Sequence, residues 1–140
     1  MEQRLPSVNP PRWRALFYIP VLWLSLGIAV GFLIAASIGE HGSVIFLLGG
    51  AAMGASGTVA HCLLFLVPLF RRTTEVRQVL LLWVSSVTLF TLYLLANWTV
   101  SGVSVPATAE FFTALAYVAA PVLPGAAVVN RVIRRVAAAA

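Results

Sequence analysis

The chain has 140 residues, of which 61% are hydrophobic and 9% are charged, and its formal net charge is +5. A soluble domain contains about 25% charged residues, so this composition excludes an ordinary water-soluble fold and favours helices in a lipid bilayer. The basic residues form neither a basic face nor a recognisable motif, so nucleic-acid binding is not predicted. One cysteine, Cys62, excludes an intramolecular disulfide.

All nine basic residues are arginines, and long apolar segments separate them into three groups of three. The groups are Arg4, Arg12 and Arg14, then Arg71, Arg72 and Arg77, and finally Arg131, Arg134 and Arg135. The other two connections carry no Lys or Arg. Cytoplasmic loops collect Lys and Arg, so the pattern predicts an all-α integral membrane protein, an antiparallel four-transmembrane-helix bundle, N-in/C-in. Anionic lipid headgroups are the expected partners of these arginines.

Residues 1–12 contain three prolines and are expected to form an extended cytoplasmic arm. The first span is predicted over residues 15–38, with Trp13 at its cytoplasmic edge, as in an aromatic belt. The apolar core of a signal peptide runs for about 7–15 residues. The longer segment here therefore predicts a retained membrane anchor.

The second span is predicted over residues 43–70, which is longer than the roughly 20 residues that an upright helix needs to cross a bilayer. A helix of this length has to tilt, bend near Gly49 and Gly50, or protrude. The connections on either side are short, so consecutive helices are expected to be antiparallel neighbours.

Small residues in this second span recur on one helical face. Gly50, Gly54, Gly57 and His61 follow one another at spacings of four, three and four, and Pro68 is expected to continue the face. Small residues at this spacing allow a second helix to approach closely. The face is therefore predicted to pack against another helix, either within the chain or in a partner subunit.

His61 is the ionisable residue placed deepest within a predicted span. Such residues are functional candidates because burial of an ionisable group in a membrane is costly. One alternative is a structural hydrogen bond to a neighbouring helix; others are a proton or ion pathway, or ligation of a cofactor such as haem. The other histidine, His41, lies about 30 Å away along a helix, so haem would need a ligand from a second chain. No metal site is predicted.

The third and fourth spans are predicted over residues 79–100 and 111–129. Residues 130–140 are predicted to form a cytoplasmic tail that either continues the fourth helix or lies along the membrane interface. Pro121, Pro124 and Gly125 are predicted to break the fourth helix near mid-membrane. Each proline removes a backbone hydrogen bond, which leaves the carbonyls of Tyr117 and Ala120 without their usual donors. Hydroxyl groups on nearby helices, such as those of Ser86 and Thr91, are candidate replacements.

No catalytic constellation is recognised, since the chain has no Asp and no pair of carboxylates within a span. The leading hypothesis is a non-catalytic accessory or structural subunit of a larger membrane complex. A first alternative is a small oligomeric transporter or channel with His61 and the Pro121–Gly125 segment at its pathway. A second is a haem- or quinone-associated electron-transfer subunit. The bias toward Arg, Ala, Gly, Pro and Val favours a bacterial inner-membrane protein.

Overall fold

The computed structural model describes residues 13–37, 39, 44–102 and 108–139, with residues 45, 108, 110 and 114 described by backbone alone. These residues form five α-helices and contain no strand. The helices are α1 Trp13–Ser37, α2 Val44–Leu66, α3 Pro68–Arg72, α4 Glu75–Ser101 and α5 Thr108–Ala139. The predicted amino-terminal arm with Arg4 and Arg12, and most of the two arginine-free connections, lie outside the described residues.

Four helices are long and apolar enough to cross a membrane. They comprise Trp13–Ser37, Phe46–Leu66, Glu75–Ser101 and Phe111–Ala139, and only 17–33% of the residues in their most apolar windows are buried within the protein. Large apolar side chains face outward on all four, for example Phe17, Leu63, Leu92 and Val128. This surface suggests a multi-pass membrane protein surrounded by lipid.

Helices α1 and α2 have the most extensive contact of any helix pair in the described structure. Gly27 of α1 lies against Gly50 and Gly54 of α2, and Gly31 lies against Phe46 and Gly50. Higher numbers on one helix thus meet lower numbers on the other, so the two helices run antiparallel. Backbones approach this closely because the four glycines at the contact have no side chains.

Helices α4 and α5 also run antiparallel. Trp98 near the end of α4 contacts Phe111 near the start of α5, whereas Glu75 at the start of α4 pairs with Arg131 near the end of α5. Helix α1 additionally packs on α5, and α2 packs on α4. The core between them is apolar, with Trp23, Met53 and Leu82 among its buried side chains.

The second predicted span is two helices rather than one. Helix α2 ends at Leu66, Val67 is extended with φ −81° and ψ 117°, and Pro68 begins α3. A proline disfavours helical geometry in the residue before it and has no N–H to donate, so the chain breaks here. Helix α2 continues through Gly49 and Gly50, where a bend was one of the alternatives. Pro68 therefore does not continue the glycine face.

The fourth predicted span is longer than expected and uninterrupted. Helix α5 runs for 32 residues and includes both Pro121 and Pro124, so the predicted break does not end the helix. The residues predicted as a tail continue α5 up to Ala139, which was one of the two alternatives for them. Helix α4 ends at Ser101 and is capped by Gly102, which has a φ of 66°. The N–H of Gly102 donates to the carbonyls of Trp98 and Thr99.

Candidate functional site

His61 is fully buried where α2 faces α1. The indole Nε1–H of Trp23 donates a hydrogen bond of 3.0 Å to His61 Nδ1. The exposed fractions of the two residues are 0% for His61 and 1% for Trp23. The rings of Phe65 and Phe70 lie edge to face with the imidazole, at centroid distances of 6.4 and 6.5 Å. His61 is thus fixed in orientation by one polar contact and enclosed by aromatic rings.

The hydrogen bond from Trp23 determines which imidazole nitrogen carries the proton. An indole N–H only donates, so Nδ1 must present its lone pair, and a neutral His61 carries its proton on Nε2. Nε2 is buried, with no hydrogen-bond partner among the described residues. Cofactor ligation by His61 stays a prediction, and it would require Nε2 to be uncovered by movement of the enclosing side chains.

The glycine face of α2 is occupied within the chain by α1. A side chain at Gly50 would collide with the backbone of Gly27, and one at Gly54 would collide with the backbone at Trp23. Gly57 makes room for the Trp23 ring, which reaches past it to His61. All four predicted residues therefore contact α1. A partner subunit would have to displace α1 to reach them.

Sequence reasoning missed a second buried polar group, which joins α4 to α5. Asn130 Nδ2 donates to Gln78 Oε1 at 3.1 Å, and Gln78 Nε2 donates to the carbonyl oxygens of Phe70 at 3.0 Å and Thr73 at 3.3 Å. Gln78 is 3% exposed and Asn130 is 1% exposed. One amide side chain thus fastens the α3–α4 turn and α5 together. The available signal was the four-residue spacing of Gln78, Leu82, Ser86 and Phe90, which predicts one helical face.

The arginines at the helix ends include two that form ion pairs. Arg131 Nε lies 3.2 Å from one carboxylate oxygen of Glu75, and Arg134 lies 3.6 Å from the other. These pairs bring the second and third arginine groups to the same end of the protein. Among the other predicted lipid-facing arginines, Arg71 is half-buried, and the exposed ones are Arg14, Arg72, Arg77 and Arg135.

One side chain of α4 donates a hydrogen bond to the backbone of α5 next to its prolines, and it is not one of the predicted hydroxyl groups. Trp83 Nε1 donates to the carbonyl oxygen of Ala119 at 2.8 Å. Neither hydroxyl predicted for this role bonds α5. Thr91 donates to the carbonyl of Val87 in its own helix, and buried Ser86 has no hydrogen-bond partner among the described residues. A hydroxyl can satisfy the carbonyl four residues earlier in the same helix, which explains the choice of Thr91.

The outward side of the same segment is a shallow groove. Ala116, Tyr117 and Ala120 line it together with Phe112, Thr113 and Pro121. Ala116, Tyr117 and Ala120 are exposed, and Pro124 one turn further along is exposed as well. Gly125 faces the other way and admits the side chain of Leu26 from α1. The helix thus has a packed inner side and a groove on its outer side.

A cavity of about 600 Å³ opens between the helices at the end away from Glu75 and its arginine partners. Its walls include Ile34 of α1, Gly49 of α2, Phe90 of α4 and Val118 of α5. His61 and the Pro121–Gly125 segment do not line it. The structure therefore does not bring the two elements of the predicted transport pathway together in this cavity.

Comparison with known proteins found no matching family model, no matching curated protein and no matching solved structure. Within the described residues, no group of three or more His, Cys, Asp or Glu side chains is placed to hold a metal ion.

Proposed function

We propose that the protein is a non-catalytic accessory subunit of a larger complex in the bacterial inner membrane. Its four long helices would form an antiparallel bundle with both termini in the cytoplasm, as the arginine pattern predicts. The partner would be a transmembrane helix of another subunit, docked in the outward groove of α5. That groove, defined by Phe112, Thr113, Ala116, Tyr117, Ala120 and Pro121, is called the α5 groove below.

The observation that carries this proposal is the exposure of the helix surface next to two prolines. Pro121 and Pro124 have no N–H, so neither donates to the carbonyl four residues earlier, on Tyr117 and Ala120. Tyr117 is 71% exposed, and Ala120 and Pro124 are exposed as well. Lipid offers no hydrogen-bond donor, and an unsatisfied backbone group in hydrocarbon costs several kcal/mol. A donor from another protein helix would satisfy these carbonyls.

The shape of the α5 groove supports the same partner. Ala116 and Ala120 are spaced four residues apart, so together they leave a small-residue track that admits another helix closely. Thr113 Oγ1 donates to the carbonyl of Ala109 at 2.8 Å, which leaves an oxygen able to accept from a partner. We therefore expect the docked helix to carry a Ser, Thr, Asn, Gln or Trp side chain level with Ala120.

The test is purification in mild detergent followed by native mass spectrometry. The wild-type chain should carry a second polypeptide in fixed stoichiometry. Ala120→Leu should lose that polypeptide, because the added side chain fills the α5 groove without meeting the packed side of α5. Val128→Leu is the matched control, since Val128 is 63% exposed on the same helix but lies outside the α5 groove.

Two results would contradict the proposal. The first is purification of the wild type as a lone monomer; the second is a partner that stays bound to Ala120→Leu. Association of two copies of this chain through the α5 groove would retain the docking surface but replace the accessory role with self-assembly.

A further inference from the structure

The cavity between the helices is a slot that runs along the helix axes. On α1 its wall is formed by Val30, Ile34 and Ser37, which lie on one helical face. At about 1.5 Å per residue, this face is roughly 10 Å long. On α2 the lining includes Phe46, Gly49 and Met53, again at spacings of three and four. The lining on both helices therefore runs parallel to the helix axes.

Gly49 keeps this slot open without being needed for packing. A Cβ atom built at Gly49 meets nothing within 4 Å, whereas one built at neighbouring Gly50 collides with the backbone of Gly27. The two glycines thus have different roles, although they are adjacent in sequence. Gly50 allows α1 to approach, and Gly49 contributes volume to the slot.

The lining is apolar and offers little to a polar ligand. Ser37 donates its hydroxyl to the carbonyl of Ile34 at 2.8 Å, so its donor is already used. Val30, Ile34, Phe46, Met53, Phe90 and Val118 provide hydrocarbon or aromatic surface. The hydroxyl of Tyr117, a largely exposed residue, is the remaining polar side-chain group of the wall. Apolar cavities stay dry and accept apolar guests, even at a quarter of this volume, about 150 Å³.

We propose that this slot binds one hydrocarbon chain of a membrane lipid, in the leaflet opposite the arginine-rich end. Its volume of about 600 Å³ lies within the usual range for ligand sites. An acyl chain fits an apolar lining that runs parallel to the helices, and the surrounding bilayer supplies such chains in the same orientation. The slot and the α5 groove share Tyr117, but the other residues of the slot lie outside the α5 groove.

The test uses proteoliposomes made with a phosphatidylcholine that carries a photoreactive diazirine in one acyl chain. After illumination, mass spectrometry locates the adducts. We expect adducts on Val118, a half-buried wall residue, well above the level on Trp23, which is buried outside the slot. In Gly49→Leu, whose new side chain enters the slot, the Val118 adducts should fall to the Trp23 level.

Leu48→Phe is the matched control, because Leu48 is 64% exposed and precedes Gly49 on the lipid-facing side of α2. It should leave the Val118 adducts unchanged, and adducts on exposed Leu63 should be equal in all variants. Ile34→Phe fills the slot from α1 and serves if Gly49→Leu does not fold. Wild-type adducts on Val118 no higher than on Trp23, or adducts that persist in a folded filling variant, would overturn the proposal.

Discussion

Trp23 and His61 show how a polar residue is accommodated at the centre of an apolar protein. His61 is recognisable from its sequence position as a buried ionisable residue, but its partner is not. Trp23 lies on another helix, 38 residues away, and its indole meets Nδ1 only because Gly57 makes room for the ring. Periodicity within α2 contains no information about this register between helices.

The first prediction concerns the Trp23–His61 hydrogen bond. Trp23→Phe should destabilise the protein by about 0.6 kcal/mol, the average for hydrogen bonds between membrane helices, for which the maximum is about 1.7 kcal/mol. Unfolding in mixed micelles measures this difference. Nitrogen NMR of labelled histidine should find the proton of neutral wild-type His61 on Nε2.

Trp13→Phe is the control, because Trp13 is 67% exposed. It should leave both the unfolding free energy and the His61 spectrum unchanged. A wild-type His61 with its proton on Nδ1 would contradict the geometry, as would equal losses of stability in the two variants.

The second prediction concerns the buried amides. Asn130→Leu keeps a similar volume but leaves Gln78 Oε1 without its donor, so it should cost about 1 kcal/mol of unfolding free energy. Asn97→Leu, at an exposed position on α4, should cost nothing. In a double-mutant cycle with Gln78→Leu, the double variant should lose less unfolding free energy than the sum of the two single losses. Additive losses in that cycle would show that Gln78 and Asn130 do not interact energetically.

Gln78 and Asn130 were missed because each lies beside arginines at the end of an apolar segment. Polar residues in such positions ordinarily face the membrane–water interface. The four-residue spacing places Gln78 on one face of α4, but the contact between α4 and α5 is what shows that this face and Asn130 point inward. That contact depends on where the two helices cross.

At the scale of helices, hydropathy located the four apolar segments, because a bilayer core requires about 20 consecutive apolar residues. Helix ends and interruptions depend on local backbone chemistry instead. The α2–α3 break falls at Val67, because Pro68 restricts the preceding residue. Pro121 and Pro124 lie within α5 without ending it, with a neighbouring carbonyl bonded by Trp83 from α4.

The third prediction compares two glycines on paired helices. Gly27→Ala places a methyl group against the carbonyl oxygen of Gly50, so α1 and α2 must separate. We expect a loss of about 1–3 kcal/mol, typical of overpacking. Gly49→Ala should be neutral or slightly stabilising, because its Cβ meets open space and alanine favours helix. Unfolding of the two variants side by side measures the difference, and equal effects would contradict the close contact of α1 with α2.

At the scale of the whole molecule, the ion pairs between Glu75 and Arg131 and Arg134 place two arginine groups at one end. Exposed ion pairs contribute little stability, typically below about 1 kcal/mol. These ion pairs instead show which parts of the chain lie together, since they join the α3–α4 turn to the end of α5. Which side of the membrane this end faces is a prediction from the positive-inside pattern alone.

The fourth prediction tests that orientation. In a Cys62→Ser background, Gly102→Cys and Arg135→Cys place single thiols at exposed positions at opposite ends of the protein. A membrane-impermeant thiol reagent added to intact cells should label Gly102→Cys and spare Arg135→Cys. Both should react after the cells are opened. Labelling of Arg135→Cys alone in intact cells would invert the proposed topology.

The claim that a partner helix occupies the α5 groove is tested most directly by photocrosslinking in native membranes. A photoreactive amino acid replaces Ala116 in the α5 groove, and in a separate variant it replaces Leu63, which is 60% exposed on α2. We predict one discrete protein adduct from position 116, absent from position 63 and lost when Ala120→Leu is added. Lipid adducts alone from both positions, or the same protein adducts from both, would contradict a specific partner at this groove.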